Sequence, residues 1–124
     1  MNENEVINKI KSRIGTKVSF KYPGNEGEKQ GILIDRAIIP SKNVAGAVPY
    51  WDVVDLIEFK DHQEQWIRIG YYRKPANKIN WGSQTTITEP VSVWKRILLN
   101  AAKEKPWFKK LLFEVITELE ENLK

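Results

Sequence analysis

Between Trp66 and Lys74, two aromatics and two cations recur at two-residue spacing around a glycine: Trp66, Arg68, Gly70, Tyr72 and Lys74. That spacing places them on one face of an extended strand, with Ile67, Ile69 and Tyr71 on the other. Aromatic rings stack on nucleobases at roughly 1–3 kcal/mol each and cations meet phosphates, so the face has the composition of a surface for single-stranded or structured nucleic acid. Arg73, Lys78 and Trp81 extend the set, and Gly70 leaves a flat place for a base. The competing expectation is that helices cover this face, which makes Trp66 and Tyr72 core and leaves the cations at a rim.

A second basic group, Lys95, Arg96, Lys103, Lys105, Lys109 and Lys110, surrounds a helix junction. The helix dipole and ordinary solvation explain much of it, and no glycine-rich anion loop accompanies it. A third group is Asp35 on one strand with Glu58 and Lys60 on another. It resembles the acidic and lysine core of PD-(D/E)xK nucleases, and the resemblance implies carboxylates on Mg²⁺ with the lysine positioning water. The chain departs from that family after Lys60, where a strand is expected in place of a helix. His62, the single histidine, lies between Asp61 and Glu64 in an expected turn, where a solvated role is the plainer reading.

There is no cysteine, which removes disulfides, thiolate metal sites and a cysteine nucleophile together. No zinc set, GxSxG elbow or phosphate loop is present, so the residues imply no cofactor and do not favour an enzyme. The net charge of +4 is unevenly spread: residues 61–110 hold ten Lys or Arg against four Asp or Glu, and this stretch contains the two-faced strand. Concentrated charge attracts anions more strongly than the net value suggests. The first residues carry interleaved charges, unlike a signal peptide, and no run reaches the ~18 apolar residues of a membrane span. The expectation is a cytoplasmic protein without a membrane partner.

The elements that must position these groups follow from periodicity. Asn2 and Glu5 cap a helix carrying Val6, Ile7, Ile10 and Ile14, with Lys9, Lys11 and Arg13 on its far face and Gly15 as its stop. A period-two strand is expected from Lys17 to Tyr22, an aliphatic central strand from Gly31 to Ile39, and a third main strand from Trp51 to Lys60. They are separated by turns at 23–27 and 40–49. After the focal strand, Pro75 ends the run and Gln84 to Thr88 reads as a short edge strand. Pro90 opens a helix with Val91, Trp94, Ile97, Leu98 and Ala101 on one face. Pro106 breaks it, and Phe108, Leu111, Leu112, Val115, Ile116 and Leu119 form the stripe of a last helix.

Together these predict one α+β domain over residues 1–124: an N-terminal helix, about five mainly antiparallel strands in a curved sheet, and two C-terminal helices. The turn-rich opening from Gly15 to Asp35 resembles that of small SH3-like open barrels. The leading functional expectation is a basic module binding nucleic acid through Trp66, Arg68, Tyr72, Arg73, Lys74, Lys78 and Trp81. The alternative is a protein-interaction or accessory domain, and a homodimer through the Trp107 region is a further expectation, because exposed tryptophans favour interfaces.

Overall fold

The computed structural model describes residues 2–21, 28–40, 49–59, 64–74, 78–81 and 90–122. The order is α1 (Glu3–Lys11), β1 (Lys17–Lys21), β2 (Glu28–Pro40), β3 (Tyr50–Phe59), β4 (Gln65–Arg73), β5 (Asn80–Trp81), α2 (Val91–Glu104) and α3 (Pro106–Asn122). The class is α+β, as the periodicities predict. The chain forms two compact units, Met1–Thr85 and Thr86–Lys124.

In the first unit the strands pair antiparallel in chain order, β1-β2-β3-β4-β5, and curl into a half-barrel. Short connections leave no room for crossovers, so each strand lies beside its predecessor. The fifth strand is Asn80–Trp81, paired with Arg73 and Tyr72. The edge strand expected at Gln84 to Thr88 lies outside the described residues, as do Tyr22, the turn at 23–27, residues 41–48 of the turn expected at 40–49, Lys60 and His62, while Pro40 closes β2.

Asn2 caps α1 as its sequence implies: its Oδ1 accepts from the Glu5 amide at 2.8 Å. Val6 and Ile10 press the helix onto Ile38, Trp51 and Val53, with Tyr72, Ile79 and Trp81 half-buried around them. A second cluster joins Leu33, Ile57 and Phe59 to Val18 and Trp66. Both clusters lie on the inner face of the sheet, since Trp51, Val53, Asp55 and Ile57 stand opposite Tyr72, Gly70, Arg68 and Trp66. Beyond α1, Gly15 takes a φ of +91°, a conformation that glycine adopts without strain, and its amide donates to the Leu33 carbonyl at 2.6 Å.

The β2–β3 register slips once. Leu33 faces Ile57 and Asp35 faces Leu56, so Ile34 is an extra residue on β2. A bulge of this kind reverses which side chains point inward beyond it. Leu33 and Arg36 therefore share the inner face, although three residues apart. The Asp35 carboxylate steadies the bend by accepting from the Arg36 amide at 2.9 Å.

The second unit is a helix hairpin. Lys105 is extended (φ −127°, ψ 114°), the conformation that a following proline enforces, and Pro106 opens α3. Ile97, Ala101 and Phe108 are buried, while Trp94 and Leu98 are half-buried and Val91 is exposed. The stripe expected along α3 is buried only at Phe108. Leu111, Phe113, Val115, Ile116 and Leu119 are exposed.

Candidate anion-binding groove

At the centre of the inner face sits a charge, Asp55, that is fully buried and therefore must be paired. Arg36 stands directly opposite on β2 and grips it with two bonds, Nε to Oδ1 at 2.7 Å and Nη2 to Oδ2 at 3.0 Å. Arg68 reaches the same carboxylate from β4, with Nη2 at 2.9 Å and Nε at 3.1 Å from Oδ2. Forked guanidinium contacts of this kind are among the stronger polar interactions in proteins. Two cations on one anion leave the cluster with a net positive charge.

Arg36 also joins the helix to the sheet. Its Nη1 donates to the Ile10 carbonyl in the last turn of α1 at 3.1 Å and to the Tyr72 hydroxyl at 2.9 Å. A cation at that helix end is favoured by the dipole. Burial by itself would lower the pKa of this guanidinium. Hydrogen bonding to Asp55, the charge of Asp55 and the contacts with Tyr72 outweigh it and hold the pKa above the ordinary arginine value.

Trp81 closes the cluster. Its ring lies over Gly70, where a Cβ would collide with Cη2 and come within 2.9 Å of Cζ3 and 3.0 Å of Cζ2. The Arg68 guanidinium carbon stands 4.6 Å from the Trp81 ring centre, and Tyr72 packs beside it at 4.9 Å between centroids. The flat place expected at Gly70 is thus filled by the protein's own tryptophan.

Next to this cluster is a groove of about 610 Å³. Six cations line it: Lys9, Arg13, Lys17, Arg36, Arg68 and Lys78. Tyr72 and Trp81 add aromatic wall, and no carboxylate contributes to the lining among the described residues. Lys9, Arg13, Lys17 and Lys78 are solvent-exposed, so they add positive potential at little desolvation cost.

The structure therefore gathers part of the sequence-derived set and separates the rest. Arg68, Tyr72, Lys78 and Trp81 converge on the groove. Trp66 packs instead edge-on against Phe59, 4.7 Å between ring centres. Arg73 pairs with Tyr50 and Asn80 and falls on the outer face by strand alternation. Lys74 lies at the strand end, its amide bonded to the Pro49 carbonyl. Asp35 and Glu58 sit on neighbouring strands, opposite Leu56 and Ile32, and β3 is followed by another strand. Among the described residues, no group of three or more His, Cys, Asp or Glu gathers as a metal site would require.

Periodicity placed Lys9 and Arg13 on the far side of α1; both line the groove, Lys9 from the last turn of the helix and Arg13 from the turn after Lys11. Arg36 and Asp55 were legible only as charges inside otherwise apolar strands, a pattern that signals a buried pair. Trp107 is half-buried, its ring edge-on to Phe108 at 6.0 Å. No helix among the described residues is long and apolar enough to cross a membrane. No protein-family model, curated protein or solved structure matches the chain.

Proposed function

We propose that the first unit is a binding module for single-stranded nucleic acid, with the groove beside α1 as its phosphate-binding site. The observation that carries this reading is the convergence of six cations from α1, the turn after it, β1, β2, β4 and the segment before β5, with no carboxylate in the lining among the described residues. Lys9, Arg13, Lys17 and Lys78 contact phosphates. Arg68 is 23% exposed at its side chain and, with Trp81 and Tyr72, offers planar surface to a base.

The volume sets the scale of the ligand. About 610 Å³ is the size of a small-molecule pocket and holds one or two nucleotides. Binding is accordingly local, a short stretch or an end of a strand entering the groove, rather than a long strand laid across an open sheet. No catalytic step is part of this reading.

The test is a tryptophan-fluorescence titration with single-stranded and duplex oligonucleotides at low and moderate salt, repeated on Lys9→Ala/Lys17→Ala/Lys78→Ala. Saturable quenching that weakens with salt and in the triple variant supports the proposal. No response to any oligonucleotide at low salt overturns it.

A further inference from the structure

The charges of α3 run against its own dipole. Lys109 and Lys110 occupy its N-terminal half, with no acidic residue in the first turn, while Glu118, Glu120 and Glu121 crowd its C-terminal end, with no basic residue in the last turn. Each placement is unfavourable for an isolated helix, where anions belong at the N-terminus and cations at the C-terminus. Lys109, Leu112, Phe113, Ile116, Leu119 and Glu120 share one side of α3 by three- and four-residue spacing. On that side Phe113 is 57% exposed, Ile116 48% and Leu119 58%. Residues of this side also wall an apolar groove of about 610 Å³, where Leu99 and Pro106 join Leu112, Phe113 and Ile116. The Lys109 ammonium stands over the Phe113 ring at 5.7 Å, so a positive charge is held at the edge of the apolar patch.

We propose that this face is a self-association surface on which α3 packs antiparallel against α3 of a second copy of the chain. The sequence numbers meet the symmetry. A two-fold axis passing midway between Phe113 and Ile116 sets Phe113 of each copy against Ile116 of the other, and the same axis sets Lys109 against Glu120. Each interface thus has an apolar centre closed at both ends by opposite charges, the usual division between core and rim. The opposed helices also bring each adverse helix end beside charge of the favourable sign. A parallel pair would set Lys109 against Lys109 and Glu120 against Glu120, so the charge order selects the antiparallel arrangement. Trp107 takes no part: nine residues before Ile116, it lies two and a half turns away and on the opposite side of the helix.

Analytical ultracentrifugation of the full chain, up to about 0.5 mM protein, tests this with charge reversals at exposed positions. The wild type is expected to dimerise within that range, Lys109→Glu and Glu120→Lys each to weaken dimerisation about tenfold, and the double reversal to return it to within about threefold of wild type. Phe113→Glu is expected to abolish dimerisation with helical circular dichroism retained. A chain that stays monomeric throughout the range overturns the proposal, whether or not the face then binds lipid vesicles or another protein. So does a double reversal that fails to restore what the single reversals remove.

Discussion

Arg36 and Asp55 face each other across β2 and β3 because Ile34, two residues earlier, is one residue more than the ladder needs. Strict alternation from Leu33 would turn Asp35 inward and Arg36 outward. With the bulge, the guanidinium meets the buried carboxylate at 2.7 Å and 3.0 Å and still reaches the end of α1. Deleting Ile34 is therefore expected to cost far more than truncating it. Ile34 is 41% exposed, so Ile34→Ala should stay within about 1 kcal/mol of wild type, while the deletion abolishes a cooperative urea transition.

Asp55→Asn removes the charge that two arginines share. Leaving buried cations without their anion costs about 3–5 kcal/mol, which urea denaturation will read as a lower midpoint at an unchanged slope.

Arg36→Met tests the pH behaviour of the same pair. The pKa of Arg36 is raised by folding, so its contribution is complete below the ordinary arginine range and is lost only as pH rises through the higher folded value. The stability difference between wild type and Arg36→Met is then expected to be constant from about pH 6 to about pH 10, measured by urea denaturation across that range. A difference that shrinks steadily on the alkaline side would contradict it.

Gly70→Ala introduces a Cβ into the space that the Trp81 ring occupies. The ring must move, which separates it from Arg68 and Tyr72. Overpacking of this kind costs about 1–3 kcal/mol. Near-ultraviolet circular dichroism should lose tryptophan signal while the far-ultraviolet spectrum is kept.

The groove and the original strand face make different demands on oligonucleotide binding. Lys9→Ala/Arg13→Ala/Lys17→Ala should lower the slope of log affinity against log salt by about 2, since each lost phosphate contact removes about 0.7 for a single strand. Arg73→Ala/Lys74→Ala, whose side chains belong to the outer face and the strand end, should leave the slope unchanged. The opposite ranking would return the site to the far end of β4.

Local signals in the chain determined the elements themselves. Asn2 three residues before Glu5, the two-residue period from Lys17, and the proline at 106 each act through backbone geometry within a few residues, so they can be read without a structure. The antiparallel class follows from the short connections between strands. Tertiary structure decided which charges meet. The bulge at Ile34 carries no residue type that announces it, yet it sets the facing of everything after it on β2, including Arg36. The groove cations come from segments as far apart as Lys9 and Lys78, brought together by the docking of α1 and the return of β5 beside β4. Gly70 looked like a flat place open to a base because alternation reports only the face on which a side chain such as that of Trp81 lies. It does not report that an opposing glycine lets that side chain lie down on its own sheet.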